Sequence, residues 1–600
     1  MKSEDLFFHS LKAVSPLDGR HRILTAPIAE WFSEYALFKF RLMIEVEYLI
    51  ALSQLKEFPT VRSFSPAEIE FLHNLINNFS LEDAQIMQNL DRFGYQGIKP
   101  LNHDCKAVEY FLKMKLGGTS LQDMKEFVHF GLTSEDINNL AYNQMIQQSW
   151  KNYYLPAAVE LLHYLAQIAE REKHTPLLGR THGQAATPTT FGKEMANYLE
   201  RLRIALLILD QIKLPGKLNG AVGNYAAQHF AAPEVDWITF SEDFVNKLGS
   251  EPNLLTIQIE PHDGLTRFFS SFISFNNILR DLATDLWLYT SQGYLVQKKI
   301  ETEVGSSTMP HKINPWRMEV AEGSTAEANA KFYGFISKWQ VSRMQRDLSD
   351  HEAQRAMGVG IAHSYVAVAH LLEELERLHL DRQKMLIELQ DKGEILTEAV
   401  QTLLRKENYP APYELMKEFS RGRNCSVKEL RELILTLNLS AEIKQKITSL
   451  KPEDYYGLSP SLVDLALQRW NKFKDNYEKP LLPIKKIIID CDSCGEQLLT
   501  AGKELLLQLQ KKGILIVGLN AHRYYNPDLN FFSISINQDE LYPEKNVIFL
   551  GKVNNTFTLA QEKGLITVNF NQKGEGKKAE YNIVDWSELP FLLESFHYQN

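Results

Sequence analysis

From Leu265 the apolar positions fall at Phe268, Phe269, Phe272, Ile273, Phe275, Ile278, Leu279, Leu282 and Leu286. This i, i+3, i+4 spacing continues for about five turns, with no glycine or proline between Thr266 and Gln292, and predicts one long helix. A second stretch begins after Thr190, sets Met195, Tyr198, Leu199, Leu202, Leu206 and Leu209 on one face, and ends near Pro215 and Gly216. Residues 155–168 and 361–380 repeat the pattern. The apolar stripes are wide and carry phenylalanine, so each helix is expected to face several neighbours in a bundle. Between them lie polar segments punctuated by glycine and proline: 15–22 (SPLDGRHR), 102–106 (NHDCK), 133–138 (TSEDIN), 179–188 (GRTHGQAATP) and 305–315 (GSSTMPHKINP). These read as loops, where a rigid scaffold usually displays its chemistry.

After residue 480 the texture changes. Pro480 and Pro483 mark a linker, and a β-branched run at 487–489 ends at Asp490. A helical stretch at 496–511 follows, then Gly513, a second apolar run at 514–517 and a third at 547–550. Strand, helix and strand in that order predict a parallel α/β unit.

Composition narrows the function classes. With 44% hydrophobic and 23% charged residues in 600, the chain is too apolar for disorder and too charged for a membrane bundle. No apolar run approaches the roughly 18 residues of a membrane span. A net charge of −10 gives no footprint for nucleic acid, and any anionic ligand must meet a local cation cluster. Four cysteines cannot form a disulfide framework. The N-terminal MKSEDLFFHSLKAV has no signal-peptide core, so a cytoplasmic location is expected.

Segment 305–315 offers Ser306 and Ser307 after a glycine, then His311, Lys312 and Asn314. Lysine and asparagine can hold an anion while a serine acts as base or nucleophile. A flexible surface loop fits the same residues. His182, between Thr181 and Gln184, suits acid–base work but equally a hydrogen-bonded structural role. His103–Asp104 reads as an imidazole–carboxylate pair, or as a turn or helix cap.

Taken together, the segments carry a resemblance. GSSTMPHKINP is similar to the signature of the fumarase/aspartase superfamily, whose members release fumarate from succinyl-type substrates. SPLDGR, NHDCKAVEYF, HFGLTSEDINN, RTHGQAATPTTFGKEMAN and KLNGAVGNY resemble bacterial adenylosuccinate lyases, in order across roughly residues 10–478. The resemblance implies a mainly α, three-domain helical bundle at 1–112, 113–365 and 366–478, with a small α/β domain appended at 484–600. It implies cleavage of adenylosuccinate to AMP and fumarate, and of the succinyl-carboxamide ribotide of purine biosynthesis. Ser306 matches the base, His182 the acid, His103 a second active-site histidine, and Glu319 a carboxylate that orients the acid. Thr133, Ser134, Lys312 and Asn314 match contacts to the substrate carboxylate. Arg20, Arg346 and Arg355 match phosphate contacts, and Asn102, Asp104 and Gln258 belong to the implied substrate-binding set. No metal or other cofactor is implied. The family's tetramer, with active sites shared between subunits, implies a homotetramer here.

The chain departs from the family pattern at His21, where tyrosine is usual, at Val320, and at His351, where serine is usual. These positions belong to nucleotide recognition and leave the acid–base pair intact. Another fumarate-releasing lyase with a divergent substrate, and a non-catalytic structural relative, are the alternatives. Argininosuccinate lyase and fumarase fit SPLDGR and TSEDINN poorly. In the tail, IIIDCDSCGEQL resembles the first motif of haloacid dehalogenase-like phosphatases, with Asp490 and Asp492 matching its nucleophile and acid–base. The later acidic residues of that family are replaced, with Lys552 and asparagines present instead. An inactive or regulatory domain is therefore expected, with an active phosphatase as the alternative. The overlapping C-x-x-C (Cys491, Cys494) admits a redox reading.

Overall fold

No proline interrupts the longest helices. In the computed structural model, residues 10–298, 308–309, 311–390 and 392–477 are described, together with six short strands beyond them. Helix α1 (Glu34–Leu52) buries most of its length. It packs on α2 (Asp104–Leu116) and α3 (Ser134–Ser149). A π-helical turn, Trp150–Tyr154, leads from α3 into α4 (Leu155–Arg171). Then come a hairpin of β1 (Pro176–Thr181) and β2 (Gln184–Thr190), α5 (Phe191–Gln211) and the 29-residue α6 (Asp263–Ser291). Strand β3 (Leu295–Gln297), α7 (Trp316–Trp339), α8 (Met357–Arg377) and strand β4 (Leu378–Leu380) follow.

Helices α4 to α8 form a closed bundle: each packs on the next, and α8 returns to α4. Their interior is mainly aliphatic, with an aromatic cluster that includes Phe269, Phe272 and Phe332, all almost fully buried. One polar chain crosses it. Asn276 of α6 donates to Asn329 of α7 at 2.9 Å, Ser364 of α8 donates to Asn276, and Tyr154 meets Ser364 at 2.6 Å. A satisfied buried network of this kind fixes the register of the helices it joins. Shorter helices after β4 surround a separate core that includes Val400, Leu404, Met416, Leu430 and Ile434.

The four helices that the apolar periodicity places appear as α4, α5, α6 and α8, whereas α1 and α7 are not among them. Two expectations are corrected. The stretch at 361–380 is not helical to its end, because Leu378–Leu380 pairs antiparallel with Leu295–Gln297. Segment 179–188 is not an irregular loop but most of the β1–β2 hairpin, whose backbone groups pair across the strands. Gly192 fits the base of this hairpin to α4: a Cβ there would lie 2.5 Å from both the Ala169 carbonyl oxygen and the Lys173 nitrogen. Helices α2 and α8 run unbroken across the expected borders at 112 and 365.

The chain divides into two compact units, Met1–Phe473 and Lys474–Asn600. In the second, strands β5 (Lys486–Asp490), β6 (Leu515–Leu519), β7 (Ile534–Ile536), β8 (Val547–Gly551), β9 (Ile566–Phe570) and β10 (Tyr581–Ile583) form one sheet. The order is β10-β9-β8-β5-β6-β7, and every pairing is parallel. This is the order of a doubly wound α/β sheet, reversing direction between β5 and β8. Asp490 ends β5; the expected helix at 496–511, Cys491, Asp492, Cys494 and Lys552 lie outside the described residues. No helix among the described residues is long and apolar enough to cross a membrane.

Candidate active site

The N-termini of α2 and α3 gather most of the expected substrate-binding residues. His103 caps α2, its Nδ1 accepting from the Lys106 nitrogen at 3.2 Å, while its Nε2 meets Ser134 Oγ at 3.3 Å. His103–Asp104 is thus a cap followed by the first helical residue. Asn102, just before it, holds a left-handed backbone (φ 49°) and donates its N–H to the Asp91 carbonyl at 2.8 Å. Asp104 pairs with Arg41 at 2.8 Å and with Arg355, and Arg355 Nε donates to His351 Nε2 at 3.2 Å. Arg41 in turn donates to Asn138 at 2.8 Å, and Asn138 donates to Glu135 at 2.7 Å. Glu135 pairs with Arg346 at 2.8 Å, and Arg346 reaches Gln258 at 3.5 Å. One continuous polar network therefore ties His351, Arg355, Asp104, Arg41, Asn138, Glu135, Arg346 and Gln258 together, and the Ser134–His103 pair lies beside it, His103 preceding Asp104 in the chain.

The network is not saturated. Arg346 Nε, Arg41 Nη2 and Glu135 Oε2 are buried with no hydrogen-bond partner among the described residues. Buried polar atoms are normally paired, so this surplus suits a polar ligand. Burial alone would raise the Asp104 carboxyl, but Arg41 and Arg355 overrule it and hold it well below the usual carboxylate range. Burial and the neighbouring Arg355 push His351 down. Burial pushes the Cys105 thiol up to about 12, which leaves it protonated.

Thr133 and Ser134 are held by a buried anchor. Asp136 Oδ2 accepts from the Thr133 nitrogen at 2.8 Å, closing a capping box. Its Oδ1 accepts from Lys217 Nζ at 2.7 Å and the Asn219 nitrogen at 3.0 Å, and both oxygens lie within reach of the Gly220 nitrogen. Lys217 and Asp136 are both fully buried. The Thr133–Asp136 spacing is a capping-box signature visible in the sequence; Arg41, Glu135, Asn138 and Lys217 carry no comparable local signal.

The remaining expected residues sit elsewhere. His182 occupies the exposed turn of the β1–β2 hairpin, with φ of 54° followed by Gly183 at 74°. That hairpin is tied by Arg180 to Glu388, which also accepts from Tyr294, just beyond α6. Lys312 is exposed and Asn314 half-buried in the segment leading into α7. Glu319 in the first turn of α7 accepts from Trp287 Nε1 at 3.1 Å, not from His182. His21 faces His370 of α8 with ring centres 6.0 Å apart, and His370 faces Trp316, the first residue of α7, at 5.4 Å. Arg20 precedes it and is exposed. Ser306 lies outside the described residues.

Helix geometry measures the separation. His262, at the N-terminus of α6, binds Asp350 at 3.0 Å beside the Arg346 segment. Trp287, the partner of Glu319, is about 37 Å further along the same helix at about 1.5 Å per residue. The Arg346–His103 network and Glu319 thus occupy opposite ends of the bundle.

Residues 19–328 match the family described as Lyase, and residues 342–456 that described as Adenylosuccinate lyase C-terminal. An adenylosuccinate lyase of Legionella pneumophila (strain Corby) is 41% identical over 455 residues, 76% of this chain and 98% of that protein. The chain belongs to the adenylosuccinate lyase family. The adenylosuccinate lyase of Escherichia coli (strain K12) is likewise 41% identical over 456 residues. Members of the family are carbon–nitrogen lyases. The fold is shared more widely. A fumarate lyase from Mesorhizobium sp. BNC1 superposes with a TM-score of 0.58 at 18% identity, covering 74% of this chain and 97% of that one. A 3-carboxy-cis,cis-muconate lactonizing enzyme from Pseudomonas putida gives 0.55 at 21% identity, covering 75% and 98%. Neither family match extends beyond residue 456.

The depressed Asp104 carboxyl makes a testable contribution. A carboxylate stabilised in the folded state contributes fully above its unfolded value, about 3.9, and loses that contribution as pH falls through the folded one. Asp104→Asn is therefore expected to destabilise the lyase unit near neutrality, with the gap to wild type narrowing below about pH 4. Urea denaturation at a series of pH values measures it; a gap that widens on acidification would contradict the assignment.

Proposed function

We propose that this chain releases fumarate from adenylosuccinate, giving AMP, and from the succinyl-carboxamide ribotide, giving its carboxamide. The observation that carries this reading is the network from His351 to Gln258, with its unpartnered buried arginine and carboxylate atoms and the Ser134–His103 pair beside it, in a chain of the adenylosuccinate lyase family.

In this reading Ser306, entering ionised, takes a proton from the succinyl carbon next to a carboxylate. The electron pair moves onto that carboxylate, where Lys312, Asn314, Thr133 and Ser134 meet the added charge. The pair returns to form the carbon–carbon double bond as the carbon–nitrogen bond breaks. His182 gives a proton to the leaving nitrogen, which makes it a competent leaving group, and Glu319 orients that acid. Arg20, Arg346 and Arg355 bind the phosphate, where a guanidinium fork suits its geometry. His21 and His103 line the same substrate. No step calls for a metal.

The bundle-length separation of these groups supports a shared site. A reaction cannot span about 37 Å, so the missing groups must come from other copies. Exposed apolar side chains on the bundle, including Ile204, Ile208, Trp287, Leu288 and Tyr333, give copies a surface on which to associate. We infer a homotetramer in the cytoplasm with sites completed between subunits.

For the second unit we infer an α/β domain without turnover of its own. Magnesium requires carboxylate oxygens, and the residues after β8 begin with Lys552 and asparagines. They do not fit a magnesium-dependent phosphatase.

Adenylosuccinate cleavage followed by absorbance is the direct test. Ser306→Ala and His182→Ala are each expected to lower kcat by at least about 100-fold with unchanged circular dichroism; wild-type-like turnover in either would overturn its role. For the tail, magnesium-dependent hydrolysis of p-nitrophenyl phosphate is expected to be at background in wild type and in Asp490→Asn alike. Activity that the substitution removes would establish a phosphatase instead.

A further inference from the structure

The C-terminus of α4, the end of β3 and the strand β4 enclose a cavity of about 330 Å³ remote from the Arg346–His103 network. That volume lies at the lower end of small-molecule sites. Its walls include Arg171, Glu172, Lys298, Glu376, His379 and Arg382.

The two carboxylates are already engaged. Glu172 is fully buried and accepts from Arg171 Nε at 2.8 Å, from Arg382 Nε at 2.9 Å and from Thr175 Oγ1 at 2.7 Å. Glu376 accepts from the Tyr164 hydroxyl. The donors are not exhausted. Arg171 spends only Nε on Glu172, and Arg382 spends Nε and Nη2, so both guanidinium groups keep N–H bonds for another acceptor. Lys298 and His379 are exposed, and their side chains make no hydrogen bond or ion pair among the described residues. Three permanent cations against two committed carboxylates leave a local positive surplus in a chain whose net charge is −10. Glu172 also holds the arginines in fixed orientation, which lowers the cost of ordering them around a ligand.

We propose that this cavity is a phosphate-binding site, separate from the Arg346–His103 network, in which Arg171, Arg382, Lys298 and His379 surround the anion. Planar guanidinium groups beside an ammonium make a donor set suited to a tetrahedral oxyanion. Lys298 donates its backbone N–H to the Arg377 carbonyl at 2.9 Å, and the segment carrying Ser306 departs from Lys298.

The test titrates inorganic phosphate into the full-length protein saturated with AMP, followed by calorimetry, so that a phosphate subsite in the lyase centre is already filled. Wild type is expected to bind one further phosphate per chain, and Lys298→Met/His379→Ala to bind it at least tenfold more weakly. The charge reversal Lys298→Glu should abolish it. Neither Lys298 nor His379 belongs to the proposed catalytic set, so kcat of the double variant in phosphate-free buffer should stay within twofold of wild type. Absence of saturable phosphate binding in wild type, or equal affinity in well-folded variants, would overturn the proposal. Failure of AMP to bind would instead count against the lyase reading, because dependence of phosphate binding on Lys298 is read separately.

Discussion

The ion pair of Lys217 and Asp136 is the constraint on which the candidate site depends. Both side chains are withdrawn from water, an arrangement that costs several kcal/mol per ion unless geometry and further hydrogen bonds offset it. Here they do: Asp136 accepts from the ammonium and from the backbone nitrogens of Thr133, Asn219 and Gly220. Removing either charge would strand the other. The pair therefore locks the KLNGAVGNY segment onto the N-terminus of α3, and so fixes Thr133 and Ser134 before any ligand arrives. Such pre-organisation is what stabilisation of a developing carboxylate charge requires.

Beside that anchor on α3, Glu135 and Asn138 carry a polar network to three arginines, Arg41, Arg346 and, through Asp104, Arg355. Arg41 is fully buried and acts through Asp104, while Arg346 and Arg355 are partly accessible. The inner arginine holds the acid that holds the outer one. His351, at a position where the family usually has serine, extends this support, because its Nε2 accepts from Arg355. The departure thus alters how an arginine is oriented and leaves the arginine in place. His21 also finds a defined setting, edge-on to His370, whose ring in turn faces Trp316 at the start of α7.

Much of this was legible in the sequence. Helices α5 and α6 follow from uninterrupted apolar spacing, and the parallel α/β character of the tail follows from β-branched runs separated by a helical stretch. The chemistry-bearing segments were legible as motifs, because their glycines, prolines and polar clusters break the helical pattern. Other features were not. The Leu378–Leu380 strand continues an apolar run that reads equally well as helix, and only its partner Leu295–Gln297, more than eighty residues earlier in the chain, decides the matter. The β1–β2 hairpin is polar on both faces near its turn, so alternation gives no strand signal. The partners of Asp136 and Asp104 come from distant segments, and no local spacing announces them. Least legible was the distance between motifs: adjacent roles in the proposed reaction fall at opposite ends of α6.

That distance makes the strongest demand of the proposed mechanism, since groups held about 37 Å apart in one chain must meet across copies. Subunit mixing measures this directly. His103→Ala disables the α2 end of the bundle and Lys312→Ala the α7 end, and each variant alone should be nearly inactive towards adenylosuccinate. Co-refolded at equal amounts, the two are expected to regain turnover that neither shows alone, because some sites then draw an intact His103 and an intact Lys312 from different chains. A mixture no more active than the sum of its parts, with mixed oligomers verified by mass, would contradict a site completed between subunits.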